Sequence, residues 1–437
     1  MTAEKSEEPG AASPRVPWWG KLIRFWLAVA FPAAGHLLFD LRVEGRENFT
    51  NSPGTLIVAN HKTDFDIVLL GPTIFWSNRG RGPGGRVAFV AAERMFLPGY
   101  VSDYILHGPR WLERLVYPAN LSAVLKAIRA YPIGYLRSRK LKAHLRAVLE
   151  TVGDIPVQDA LARPVEEVIP GAPPHAPISR VLRYRYHAAL DQEWGFSVLA
   201  PEIRKELRSR HVREVSESLR RFAAILDAGD SLYLAPEGGL ETDGRFAEAK
   251  AGLFRIIATA RAPIVLPVNL TYDFMATGRI KVFLTIGKEL HGVKGWPRAR
   301  LEQEIIDEIS RMGTVTFSQL AAAGMRRLAD PDGIIHAGKL RGEILRKGME
   351  LSRDGLRVDP DLFDPDWFSR RWRRFLAYAR RRRLFGLIGA WIVGDRDAMF
   401  APGSPFTYAA NELAELVRFY PVETGTPTGS AVDRARA

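Results

Sequence analysis

Apolar runs along this chain mark two kinds of element. Short runs bounded by turn residues read as buried strands: Thr55-Leu56-Ile57-Val58-Ala59, Ser231-Leu232-Tyr233-Leu234 and Pro263-Ile264-Val265-Leu266-Pro267-Val268. Two more strands are expected within residues 86–97 and 131–137, the second ending on Arg137. Between them the period changes to that of a helix. Val215, Leu219, Phe222 and Leu226 recur at helical spacing over Val212 to Ala228, and Gly229 supplies a stop. A second helix is expected over Ala247 to Ala260. Strands alternating with helices over residues 40–294 argue for an α/β domain, a mixed sheet flanked by helices. Residues 103–129 and 140–211 read as insertions in it, the longer one carrying a Pro-rich loop over Ile169 to Pro177. Residues 295–425 read as an appended, mainly helical C-terminal region. The ends, 1–16 and 426–437, are polar and expected to be disordered. No internal repeat is visible.

The chemistry concentrates where the first strand ends, in Asn60-His61-Lys62-Thr63-Asp64-Phe65-Asp66. A His and an Asp five residues apart are the base and orienting halves of a catalytic triad, and no nucleophilic Ser or Cys stands beside them. In that arrangement the His would activate a hydroxyl of the substrate. Residues i and i+5 of a regular helix lie about 140° apart. His61 and Asp66 can therefore meet only if His61 stays in a turn and a helix begins near Thr63. The same residues carry a simpler reading: Thr63-x-x-Asp66 is a capping-box pattern, and Asp66 would then only cap a helix.

Other blocks follow in a fixed order: Ala92-Glu93-Arg94-Met95-Phe96-Leu97, the run ending at Arg137, Ala235-Pro236-Glu237-Gly238-Gly239-Leu240, Lys250-Ala251-Gly252, and the apolar run with Pro267. Together with the first block they resemble the glycerolipid acyltransferase family, whose best-known members are 1-acylglycerol-3-phosphate acyltransferases. The resemblance covers roughly residues 40–290. It implies His61 and Asp66 as catalytic residues, with Asn60, Thr63, Arg137, Glu237, Gly238, Gly239 and Lys250 around the substrate. The family's third block continues with Thr and Arg where Gly239 and Leu240 stand here. The lost Arg is the one expected on the acceptor's phosphate, which makes a simple glycerol phosphate acceptor less fitting; Arg245, past the Asp243-Gly244 turn, is a substitute.

Composition narrows the partners. A formal charge of +13 seeks phosphates. No zinc-finger spacing or RNP-type strand is present, so anionic lipid and a phosphate-bearing coenzyme are preferred to nucleic acid. The absence of cysteine excludes disulfides, thiolate zinc sites and a Cys nucleophile, and favours a cytosolic location. No second His or Cys joins His61, Asp64 and Asp66, so no metal is expected. Residues 17–39 hold an apolar stretch of about 15 residues after Arg24, short of the ~20 that span a bilayer. With Trp18, Trp19, Lys21 and Arg24 at its start, it reads as an interfacial helix, or else as a helix packed on the domain. No small-residue cleavage site follows it, which argues against a signal peptide. Eight Arg interleaved with aromatics over 370–383 could meet lipid head groups, or pair with acids such as Asp364 and Asp366.

The expected activity is therefore transfer of an acyl chain from acyl-CoA or acyl carrier protein, as co-substrate, to a hydroxyl of a lysolipid, at the cytoplasmic face of a membrane. The alternatives are a hydrolase that gives the same dyad water as acceptor, and a non-catalytic membrane-binding protein.

Overall fold

The computed structural model describes residues 18–50, 52–63, 66–77, 87–96, 100, 121–133 and 139–419. Expectations for residues 1–16 and 426–437, for most of 103–129, and for Arg137 lie outside them. The architecture is the mixed α/β one read from the sequence. Seven strands, β1 (Phe39–Glu44), β2 (Thr55–Ala59), β3 (Val87–Ala92), β4 (Ala130–Ile133), β7 (Ser231–Leu234), β8 (Ile264–Asp273) and β9 (Ile280–Ile286), form one sheet in the order β1-β9-β8-β2-β7-β3-β4. β2 runs parallel to both β7 and β8, and every one of its residues is buried. This is why its sequence is a continuous apolar run and does not alternate. β8 and β9 are antiparallel, and β9 pairs in parallel with β1.

The chain divides into two compact units, residues 1–89 with 223–437, and residues 90–222. The second unit has its own small antiparallel pair, β5 (Arg139–Lys140) with β6 (Glu193–Trp194), and its own core, including Leu141, Leu145, Val148, Ile169, Ile178 and Val181. The stretch expected as a loop over 169–177 contributes to that core, with Ile169 fully buried. Short helices here begin just after Pro156, Pro164 and Pro177, whose fixed φ suits a helix start. The helix expected from Val212 begins earlier, at Pro201, and ends at Asp227.

In the first unit, helix α1 (Trp18–Leu38) packs against helix α2 (Asp66–Ser77). Trp18, Leu22, Phe25, Trp26 and Val29 are exposed on one side of α1. No helix among the described residues is long and apolar enough to cross a membrane. Residues 295–419 share this unit with most strands of the sheet. They are not wholly helical: β10 (Ile334–His336), β11 (Gly386–Ile388) and β12 (Trp391–Val393) form a small antiparallel sheet. The core of this region is aromatic, built on Phe317, Phe375 and Phe406.

One buried ion pair ties that region to the sheet. Arg371 donates from Nε and one Nη to the two carboxylate oxygens of Asp273, at 2.6 and 2.8 Å, and from its other Nη to Met275 O at 2.9 Å. Ser318 donates its N–H to the same carboxylate at 2.8 Å. Burial alone would raise the pKa of Asp273, but Arg371 and Ser318 outweigh it and hold it below the usual carboxylate value. Beside this pair Lys281 bridges Asp359 and Asp361, at 2.6 Å each. A cavity of about 200 Å³ lies between these groups, and no member of the His61 block lines it.

Removing one partner of a buried pair strands the other charge. Arg371→Met is therefore expected to lower stability by about 3–5 kcal/mol in urea denaturation near neutral pH. With a folded pKa below its unfolded value, Asp273 contributes stability that is present above about pH 4 and lost as pH falls through the folded pKa. The gap between wild type and Arg371→Met should therefore narrow in acid; a gap independent of pH would contradict this account.

Candidate active site

Parallel strands β2 and β7 are neighbours, so the turns after their carboxyl ends lie side by side, the usual place for a site in an open α/β sheet. β2 delivers His61 and β7 delivers Glu237. Asn60 fixes the exit from β2. Its amide donates to Leu270 O at 3.0 Å and accepts from Leu270 N–H at 2.8 Å, and the residue is 1% exposed. Asn60 therefore stitches the end of β2 to β8, with both polar atoms turned to the main chain.

His61 and Asp66 meet by the route the spacing required. Residues 61–63 are not helical, and α2 is assigned from Asp66. His61 Nδ1 lies 2.9 Å from Asp66 Oδ2. The same oxygen accepts the main-chain N–H of Lys62 at 2.7 Å and of Thr63 at 3.1 Å. Oδ1 accepts from Thr63 Oγ1 at 3.0 Å and from the Tyr272 hydroxyl at 2.5 Å. The bond back to Thr63 N–H is the reciprocal half of a capping box. Capping and orienting the His are thus carried by one carboxylate and are not alternatives. Asp66 is fully buried, and in each contact with a main-chain amide or hydroxyl it accepts, the bonding an ionised carboxylate makes. A proton on His61 Nδ1 then faces Asp66, and Nε2 keeps its lone pair on a side chain that is 27% exposed.

A buried charge cluster adjoins the dyad. Lys62 is 7% exposed by side chain; its Nζ contacts Glu241 and lies 3.2 Å from Glu412 Oε1. Glu241 N–H donates to His61 O at 3.0 Å, pinning the loop after β7 to the His61 turn. Burial works against the charge on Lys62, but Glu412 and Glu241 hold its pKa well above the usual lysine value. One ammonium does not serve three carboxyls. Burial, with Glu412 adding to it against the pull of Lys62, raises Glu241 to about 7. Glu237 is 4% exposed and neither oxygen makes a well-formed hydrogen bond among the described residues. Burial first, then Glu241 and Asp66, push it up to about 8, against the pull of Lys62 and the His61 N–H. Below that pH Glu237 is a neutral acid and a hydrogen-bond donor.

The other residues singled out in the sequence lie around this centre. Gly238 has φ 65°, a left-handed conformation that suits glycine, and its N–H is taken by Ala235 O at 3.2 Å. At Gly239 the space a side chain would enter is open. Lys250 is half-buried; its N–H reaches Pro236 O at 2.8 Å and it precedes the helix Ala251–Thr259. Arg245 is exposed, its main chain held by Asp243 at 3.0 Å, and among the described residues no bond ties its side chain to the dyad. Gly244 permits the close approach of this loop to the helix Pro405–Phe419: a Cβ there would lie 2.0 Å from Tyr408 O.

Sequence reasoning missed Lys62, Tyr272, Glu241, Tyr408 and Glu412. For Tyr272 a signal existed, because past Val268 the apolar Leu270 and Tyr272 alternate with polar residues to Asp273, the end of one ten-residue strand. Lys62 gave none, since lysine is rarely buried. Tyr408 and Glu412 come from a helix more than 340 residues away in sequence.

In structure, the chain is similar to the 1-acyl-sn-glycerophosphate (LPA) acyltransferase PlsC from Thermotoga maritima, at 14% identity over 67% of this chain and 77% of that one, with a TM-score of 0.32. The chain matches no protein-family model and no curated protein.

Glu237 holds its proton to about pH 8 when folded, against an ordinary value of 4.5. The folded state therefore binds more protons in between, and stability falls as pH rises through this window. Glu237→Gln removes the penalty. Its stability relative to wild type, read from urea midpoints, should increase from about pH 5 to about pH 8 and then level off; a constant difference would show that Glu237 titrates normally.

Proposed function

We propose that this protein is a lipid O-acyltransferase in which His61 is the general base and Asp66 orients it. One observation carries the reading: a half-buried imidazole is held on Nδ1 by a fully buried carboxylate that has four further donors, while its other nitrogen is left for a proton. With no cysteine in the chain and no serine bonded to His61 among the described residues, the nucleophile comes from the substrate.

In this reading a lysolipid hydroxyl lies against His61 Nε2, which takes its proton as the oxygen attacks an acyl thioester. The C–S bond breaks as the tetrahedral intermediate collapses, and the thiolate leaves as that of coenzyme A or of the acyl carrier protein. The proton passes from His61 to that thiolate. Asp66 keeps the productive tautomer and favours the transient imidazolium. Glu237, a neutral acid at pH 7, donates a hydrogen bond to the acceptor. The N–H of Gly239, past the left-handed Gly238, is the candidate oxyanion donor. The loss of arginine at Leu240 and the exposure of Arg245 favour an acceptor whose head group is not a bare glycerol phosphate. The basic charge and the exposed face of α1 fit work at the cytoplasmic face of an anionic membrane.

The test is release of free thiol from acyl-CoAs in vesicles containing mixed lysolipids. His61→Ala should cut turnover by about 10²–10⁴ without unfolding the protein; activity persisting within about tenfold would sink the proposal. Tyr272→Phe keeps the ring and removes one donor to Asp66, so a smaller loss, about tenfold, is expected. Thiol release that needs no lysolipid would identify a hydrolase.

A further inference from the structure

The Arg-rich segment has a form that neither sequence reading anticipated. The helix Pro365–Arg381 ends in Arg380-Arg381-Arg382-Arg383, and the chain turns at once into the β11–β12 hairpin. None of these four Arg pairs with a carboxylate among the described residues, and all four are exposed. Asp364, offered above as a partner, caps the opposite end of the helix by accepting from Asp366 and Trp367 N–H at 2.8 and 2.9 Å. Arg382 lies over the Tyr378 ring. Cations at a helix C-terminus favour its dipole, and that accounts for some of the charge.

It does not account for Arg383. Leu384 N–H bonds Ala379 O at 3.0 Å and Arg383 N–H bonds Arg380 O at 3.1 Å, the paired bonds of a Schellman cap. Arg383 occupies its left-handed position with φ 55°, where glycine is the unstrained choice. A charged side chain thus stands at a backbone position where glycine would be less strained.

Past this run the hairpin presents an apolar tip. Ile388 pairs directly with Trp391 across the Gly389-Ala390 turn, and they are 68% and 49% exposed. Leu387 is 38% exposed, whereas its cross-strand partner Ile392 is fully buried and anchors the hairpin to the core. An exposed aliphatic–indole pair at the turn that follows four exposed guanidiniums in the chain suits one surface: apolar groups enter the acyl boundary as the cations meet phosphates.

We infer that the hairpin tip Ile388 and Trp391, with the run Arg380–Arg383, is a docking element for an anionic lipid bilayer. This does not depend on the acyltransferase reading, and its test measures no catalysis.

Because the chain has no cysteine, Ile388→Cys accepts a single environment-sensitive fluorophore, and Ser352→Cys, exposed near the end of the helix Ala337–Arg353, serves as control. Both are mixed with phosphatidylcholine vesicles, with and without phosphatidylglycerol. The label at 388 should shift to the blue and be quenched by acyl-chain-borne quenchers only with phosphatidylglycerol, while the label at 352 stays unchanged. Arg383→Gly should raise the thermal midpoint yet weaken vesicle co-sedimentation, a pairing that a purely structural Arg383 would not give. Reversing Arg380, Arg381 and Arg383 to Glu should weaken it by about tenfold or more. A label at 388 that stays silent while the protein co-sediments with anionic vesicles would overturn the inference. So would equal binding to neutral vesicles, no binding at all, or the same blue shift with polyglutamate or RNA in place of lipid.

Discussion

The Asp66 carboxylate is the constraint on which the site depends. It is fully buried, and a buried anion is tolerated only when its lone pairs are filled. Here they are filled by His61, the main chain of Lys62 and Thr63, the Thr63 hydroxyl and Tyr272. Satisfying one charge therefore shapes the turn after β2, starts α2, sets the imidazole's orientation and recruits β8. A carboxylate doing only one of these jobs could be exchanged cheaply; this one could not, because each donor would lose its partner.

Beyond Asp66, the environment grades the protonation of neighbouring carboxyls. Glu237 and Glu241 sit in the same buried space, yet among the described residues Lys62 alone is seen to offset them and Glu412. Their pKa values rise, to about 8 for Glu237 and about 7 for Glu241, so Glu237 is a neutral hydrogen-bond donor at neutral pH. Helix Pro405–Phe419 supplies Glu412 and packs Tyr408 against Gly244. The C-terminal region is thus structurally part of the site's wall. β8 links the two sides: by the alternation of a strand, Tyr272 faces Asp66 while Asp273 faces Arg371.

Much of this was legible in the chain. The uninterrupted apolar runs gave β2, β7 and the start of β8, because strands covered on both faces have no polar side to show. The Asn-His-x4-Asp spacing identified the dyad, and the requirement for a turn before a helix described its geometry correctly. Less legible was the helix start at Pro201, hidden in a polar sequence whose burial comes from packing, and the hairpin at 386–393, whose apolar run is too short for periodicity to separate strand from helix. The end of β8 was underestimated because Asn269, Thr271 and Asp273 are polar. They are nonetheless buried, each held by a partner that sequence does not reveal.

By itself, then, the sequence determined the α/β class, the strand that carries His61, and the condition under which His61 and Asp66 could meet, because these follow from local spacing and from hydrophobic burial along one segment. The tertiary structure decided what surrounds the pair. That Asn60 grips Leu270, that Lys62 is buried between Glu241 and Glu412, and that Glu237 holds its proton to about pH 8 all depend on groups brought together from distant segments. Desolvation and charge proximity act through space, and no pattern along the chain records them.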